Sequence, residues 1–328
     1  MKKKILKNKY MVFYALLILV PVLIFYLISS KTVFKKYPSI LGFGDVMFDR
    51  GVRNIIEKRK RDPFEYIKKD LNLINNFDIV TVNLEGPIVE MDRAQCQQKI
   101  YNFQFSKDTT DRLKSIGVNM VNIANNHSYD CLKTGFLATK KYLEEAQIEY
   151  MGDRDLDKSY VIKNIDEKKI AFVGIDELTG PYPVSRYYPI VKRLKSENDY
   201  VVVNIHWGTE YELQENSLQK SIAHNLIDNG VDVIFGHHPH VLEPMEVYKG
   251  AVVFYSLGNF VFDQDFGDTT IGLGAGVEFQ DNKKVFNIFP YNIKKFAPDF
   301  MKGEEKDVFC QKYLKGLNQK DCRFIVQT

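Results

Sequence analysis

Three histidines crowd into four positions of this 328-residue chain, His237, His238 and His240, and the apolar run 231–235 breaks off against them at Gly236. The run reads as a buried strand and the loop as its carboxyl end. Pro239 fixes the backbone between His238 and His240, so the pair presents two imidazoles with little freedom to splay apart, which suits a metal ion. Taken alone, the loop also reads as a surface histidine run or as stacked core imidazoles.

Other apolar runs end the same way. Residues 40–44 stop at Asp45, 77–82 at Asn83-Leu84-Glu85, and 118–124 at Asn125-Asn126-His127 with Asp130 beyond. Residues 170–175 stop at Asp176-Glu177, 200–205 at His206 with Glu210 four on, and 251–257 at Gly258-Asn259. One such group is a turn former or a cap. Five strand ends with metal-competent groups, holding five of the six histidines, point instead to a shared site. The sixth, His224, lies in a helical pattern and reads as a packed helix residue.

Carboxylate, amide and imidazole donors together suit Mn²⁺, Zn²⁺ or Fe²⁺; Ca²⁺ prefers oxygen alone and structural zinc prefers thiolates. One or two such ions, the second bridged to the first by a carboxylate, activate a water toward a phosphorus or carbonyl centre, and a nearby histidine protonates the leaving group. No rival nucleophile stands out. Ser256 lacks a G-x-S-x-G elbow, Cys131 has no clear partner, and neither a Walker-type nor a G-x-G-x-x-G loop is present.

To bring these groups together the runs must be neighbouring strands. Helical patterns near 62–75, 109–115, 134–146 and 217–229 alternate with them, which predicts an α/β sheet with helices on its faces and ligands beyond the strand carboxyl ends. Beyond residue 278 this pattern fades. Residues 282–297 read as an edge strand or two and 307–317 as a short helix, a tail over 281–328 that packs on a domain spanning 37–280.

The first 36 residues differ from the rest. Five lysines precede an uncharged run over 11–28, long enough with its flanks to span a membrane, and the lysine bias places the N-terminus in the cytoplasm and the main domain outside. A cleaved signal peptide is the alternative. Without this segment the formal charge is −5, so the chain's net +3 belongs to the anchor and supports no nucleic-acid reading. An external location permits disulfides. Cys310 with Cys322 closes a short loop in that reading, Cys96 with Cys131 is a second option, and free thiols are the alternative.

GDVMFDR, NLEGPI, NNHSYD, NIHWGTEY, GHHPHVLEP and YSLGNFVFDQ, in this order between Gly42 and Gln264, resemble the signature of the bacterial capsule-synthesis protein CapA family. That family is associated with poly-gamma-glutamate biosynthesis and is similar to the calcineurin-like metallophosphoesterases. The resemblance implies a sandwich of two mixed sheets flanked by helices, with an N-terminal membrane anchor. It implies Asp45, Glu85, Asn126, His206, His238 and His240 as metal ligands, with Glu85 bridging and His237 at a variable position. His127 falls near the leaving group with Asp130 orienting its ring, and Arg50, Glu210 and Asn259 fall in matching stretches as substrate contacts or supports. Asp45-Val46-Met47 departs from the wider D-x-H pattern, and Glu85 stands where Asp is commoner.

Two functional classes follow. One is an anchored, extracytoplasmic, metal-dependent hydrolase of a phosphoester or of a polymer amide bond. The other is a non-catalytic assembly component that holds the anionic polymer beside membrane synthetase partners. A third reading leaves the strand ends as ordinary turns without metal.

Overall fold

The computed structural model describes residues 37–327; the expected membrane anchor lies outside the described residues. Among the described residues no helix is long and apolar enough to cross a membrane. The chain lays down β1 (Ser39–Val46), α1 (Arg50–Glu57), β2 (Ile79–Leu84), α2 (Thr109–Lys114), β3 (Met120–Asn122), α3 (Leu132–Glu145), β4 (Glu149–Met151), β5 (Tyr160–Ile165) and β6 (Lys168–Asp176). It continues with α4 (Tyr188–Glu197), β7 (Tyr200–His206), α5 (Ser217–Asp228), β8 (Val233–His237), β9 (Met245–Tyr248), β10 (Ala251–Phe254) and β11 (Asn259–Val261). Last come β12 (Ile271–Gln280), β13 (Lys283–Lys294), β14 (Ala297–Phe300), α6 (Gly303–Tyr313), β15 (Gln319–Lys320) and β16 (Arg323–Gln327).

These strands form two mixed sheets. The larger runs β15-β16-β13-β12-β1-β2-β3-β4, with β11 on β1 and β14 on β13; the smaller runs β5-β6-β7-β8-β10-β9. Side-chain alternation sorts each strand between layers. Ile40, Ile79, Met120, Val202, Val233, Phe235, Val252 and Phe254 fill the space between the sheets. Leu41, Phe43, Val80, Val82 and Leu84 face the other way, against the outer side of the larger sheet. Val201, Val203, Ile205, Ile234 and Val253 pack under α4 and α5 through Val191, Leu194, Ile222 and Leu226. The expected α/β architecture of two sheets with helices is therefore the observed one.

The C-terminal tail differs from its expected role. The boundary placed at residue 280 falls in the β12–β13 hairpin, whose strands pair from Ile271–Asn292 to Gln280–Lys283. β13 is interior to its sheet, between β12 and β16, where an edge strand was expected. Of the alternatives the sequence left open for its cysteines, the structure has the disulfides, Cys96–Cys131 and Cys310–Cys322.

Candidate metal centre

The inter-sheet layer is apolar until the strands approach their carboxyl ends, where the same alternation delivers polar groups. Following Ile79 and Thr81 on β2 comes Asn83; following Met120 on β3 comes Asn122; following Val202 on β7 come Asn204 and His206; following Phe235 on β8 comes His237. All of Asn83, Asn122, Asn204, His206 and His237 are buried. Strand register lines them up: Asn122 stands opposite Asn83, Asn83 opposite Asp45 and Asp45 opposite Asn259, while His206 stands opposite His237 in the facing sheet.

Asp45 reaches this layer through an irregularity in β1. Gly42 pairs with Thr81 but Asp45 pairs with Asn83, so β1 spends one residue more than β2, and the bulge turns Asp45 toward the inter-sheet side. Gly44 lies within it, because a Cβ there would stand 1.8 Å from the Gly258 carbonyl oxygen. That approach lets the Asp45 N–H donate to the same oxygen at 3.0 Å.

An asparagine net holds the carboxylate. Asn83 Nδ2 donates to Asp45 Oδ1 at 2.8 Å, and its Oδ1 accepts from Asn122 at 3.0 Å and from Asn125 at 3.1 Å. The His238 N–H donates to Asp45 Oδ2 at 3.2 Å. His238 and His240 have φ of 98° and 58°, values that non-glycine residues adopt at a cost, and such strain concentrates at functional sites. Their rings lie 5.8 Å apart across Pro239, and the His206 ring is 4.8 Å from that of His238.

Glu85 is the centre of the arrangement. It is fully buried, and neither carboxylate oxygen has a hydrogen-bond partner. Two donor groups share it: Asp45, Glu85 and His206 bring ligand atoms within 4.8 Å of one another, and so do Glu85, His238 and His240. Burial, reinforced by Asp45, Glu210 and Asp130, holds the Glu85 carboxyl well above its ordinary value. Burial also raises Asp45, but His240, His237 and Asn83 outweigh it and keep that carboxyl low. Burial lowers the imidazoles, His238 to about 3, His237 to about 4 and His206 well below its ordinary value, so they are neutral donors near pH 7. Orphaned carboxylate oxygens among neutral imidazoles fit a divalent cation, since a buried carboxylate without a partner or an ion is costly.

The remaining expected residues surround this core. Asn126 is half-buried, and its Oδ1 lies 3.1 Å from His206 Nε2. His127 Nδ1 lies 2.8 Å from Asp130 Oδ2, which also accepts the Phe103 N–H at 2.6 Å, so the proton sits on Nδ1 and Nε2 faces Glu85 at 3.9 Å. Burial lowers His127 more than Asp130 raises it. A cleft of about 340 Å³ opens over His127 and His240, lined by Arg50, Tyr101, Phe103, Glu210, Tyr211 and Phe266 among others. Arg50 lies 4.9 Å over the Phe103 ring, which stacks on His127 at 4.1 Å. Lys99 pairs with Asp130 at 2.5 Å from the loop that Cys96–Cys131 ties down.

Asn259, expected as a substrate contact or a support, is placed as a support. It is fully buried, and its Oδ1 accepts from His240 Nδ1 at 3.0 Å while its amide donates to the His240 carbonyl at 3.2 Å. It orients the His240 ring. Sequence reasoning named Asn83 and Asn125 only as strand-end groups and assigned no role to Asp49, Asn122 or Asn204; the signal for Asn83, Asn122 and Asn204 is an amide at an inward position of an apolar strand. His224 is a helix residue as expected, stacked at 3.8 Å on Tyr248.

Glu243, from the HVLEP stretch, serves the loop after β7. It is buried, accepts from Gln219 Nε2 at 2.7 Å, and is pushed up to about 7 by burial despite that bond. Gln219 completes the capping box of α5 with Asn216 and packs against Gly208. A carboxyl raised in the folded state binds more protons folded than unfolded, so stability falls as pH rises from about 4.5 to about 7. The loss is at most about 3 kcal/mol. Glu243→Gln keeps the acceptor and removes the charge. Thermal melts will find it more stable than wild type by about 1–3 kcal/mol at pH 8 and equal to it at pH 4.5; equal stability at pH 8 would refute this assignment.

The molecule is thus an α/β sandwich with a buried cluster of oxygen and imidazole groups between its sheets, a donor set that suits a divalent cation. Residues 39–264, which hold every residue of that site, match the family described as bacterial capsule synthesis protein PGA_cap, and the chain belongs to that family. It is 31% identical over 280 residues to the capsule biosynthesis protein CapA of Bacillus anthracis, covering 78% of this chain and 67% of that one. It is 32% identical over 302 residues to the PGA biosynthesis protein CapA of Bacillus subtilis (strain 168), covering 86% and 77%. Among solved structures, a hypothetical protein from Thermus thermophilus aligns at a TM-score of 0.46 and 16% identity, over 79% of this chain and 95% of that one.

Proposed function

We propose that this chain is a membrane-anchored, extracytoplasmic, metal-dependent hydrolase of poly-gamma-glutamate capsule biosynthesis, cleaving a polymer amide bond or a phosphoester. The observation that carries the reading is Glu85, partnerless and shared by two donor groups, with His127 Nε2 on its open side. The donor set suits Mn²⁺, Zn²⁺ or Fe²⁺, and one or two bound ions would polarise the scissile carbonyl or phosphoryl group and make water acidic enough to attack. The likeness of the motifs to metallophosphoesterases agrees with that chemistry.

The chain's own groups do the rest. Asp130 fixes the His127 tautomer, so that Nε2 is the atom that takes up and hands over a proton at the floor of the cleft. Arg50, beside Asp263 and over the Phe103 ring, offers a cation to an anionic substrate, and Glu210 on the rim disfavours carboxylates on that side.

Purified protein loaded with Mn²⁺ and assayed on bis-p-nitrophenyl phosphate and on poly-gamma-glutamate tests this. Asp130→Asn should lower kcat by ~10²–10⁴-fold while leaving Mn²⁺ binding intact, because Asp130 is outside both donor groups. Mn²⁺-loaded wild type inactive on both substrates would favour the assembly role, in which the anchored chain guides polymer to synthetase partners.

A further inference from the structure

The motif residues leave one buried imidazole without a role. His237 closes β8 with no exposed surface. Its Nε2 lies 3.2 Å from Asn204 Oδ1, and the Asn204 amide nitrogen is directed to the Met151 sulfur at 3.5 Å, so the amide oxygen faces the ring. An oxygen there accepts, which puts the ring proton on Nε2 and leaves the unshared pair of the neutral ring on Nδ1. Nδ1 has no hydrogen-bond partner and faces Asp45 Oδ1 at 3.5 Å.

Two acceptors facing each other in a dry layer repel unless a cation lies between them. Their spacing suits one: metal–nitrogen and metal–oxygen bonds of about 2.1 Å at a tetrahedral angle set donors roughly 3.4 Å apart. His240 does not fill this place. Its Nδ1 donates to Asn259 Oδ1 at 3.0 Å, so its unshared pair lies on Nε2, 3.6 Å from Glu85. His237 is the imidazole whose free pair faces Asp45.

We propose that His237 Nδ1 is a metal ligand beside Asp45, with Asn204 as the positioning residue that fixes its tautomer. The proposal rests on the metal-centre reading above and adds a nitrogen donor at a position that the family resemblance left variable. It adds an imidazole to the end of the site that Asp45 and His206 share, opposite the His238–His240 pair, with Glu85 common to both ends.

The test is calorimetric titration of Mn²⁺ into the EDTA-stripped full-length protein, for wild type, His237→Phe, His237→Gln and Asn204→Ala, each first melted in EDTA. Wild type should bind two ions. Both His237 variants should bind one of them more than ~100-fold more weakly and the other normally, whereas Asn204→Ala, which frees only the tautomer, should weaken the same ion by ~10–100-fold. His237→Gln, small and polar, keeps the experiment decisive if the phenylalanine variant does not fold. Two ions bound by the His237 variants with wild-type affinity would overturn the proposal and leave the metal centre standing; a wild type that binds none would remove the metal centre itself.

Discussion

Glu85→Gln will abolish divalent-metal binding and, with metal withheld, melt at a higher temperature than wild type near pH 8. Both halves have one cause. The Glu85 oxygens are buried without partners, and Asp45, Glu210 and Asp130 add to the burial that raises its carboxyl. A carboxyl raised on folding weakens the fold as pH climbs above its unfolded value near 4.5, so the metal-free wild type loses stability between acidic and alkaline pH and the glutamine variant does not. Metal reverses the order. At a hundredfold excess over its Kd an ion adds ~2.7 kcal/mol to wild type, roughly 4–5 °C in Tm for a domain of this size. The variant, having lost the carboxylate that both donor groups share, gains nothing. Melts with Mn²⁺ and with EDTA at pH 5 and pH 8 check all four corners; a variant still stabilised by Mn²⁺ would contradict the shared-ligand role.

Asp49→Ala will destabilise the fold by ~3 kcal/mol or more without touching metal stoichiometry. Asp49, the second aspartate of GDVMFDR, is buried and caps α1 by accepting from the Arg50 N–H at 2.8 Å. It also accepts from Arg53 Nε at 3.0 Å and the Gln104 N–H at 2.9 Å, and pairs with Arg93. Removing it leaves a buried amide and two guanidinium groups without their anion. Both arginines are partly exposed and can rehydrate, which keeps the loss near the low end for a broken buried pair. Burial raises the Asp49 carboxyl, but Arg93, the Arg50 amide and Arg53 bring it below its ordinary value. Its contribution is therefore complete above about pH 4 and fades as pH falls through the folded value, so the gap between wild type and variant in urea titrations should be wide at pH 7 and close toward pH 2. A pH-independent gap would contradict the ionic account.

The candidate site was legible because chemistry and strand ends coincide: each apolar run that stops at Asp45, Glu85, His206 or the histidine loop is a strand or the turn after one. What was not legible lies in irregular backbone and mixed signals. The bulge that aims Asp45 has no side-chain signature beyond Gly44. α4 was unread because PYPVSRYYP looks like a loop, yet Pro189 sits at the start of a helix where its missing N–H is harmless. β12 hid behind alternating glycines. Gly272, Gly274 and Gly276 make room for the rings of Tyr291, Phe43 and Phe77, while Leu273, Ala275, Val277 and Phe279 fill the inter-sheet core. That glycine face depressed the apolar pattern of a strand central to its sheet. His237 looked variable by pattern and is buried by alternation, which only the register of β7 with β8 makes plain.

The most direct measurement is an anomalous-difference map from crystals of the protein soaked in Mn²⁺ and recorded at the manganese edge. Peaks touching Glu85 together with Asp45, His206, His238 and His240 are the predicted result. Density absent from Glu85, or manganese held only by groups elsewhere on the chain, would contradict the account.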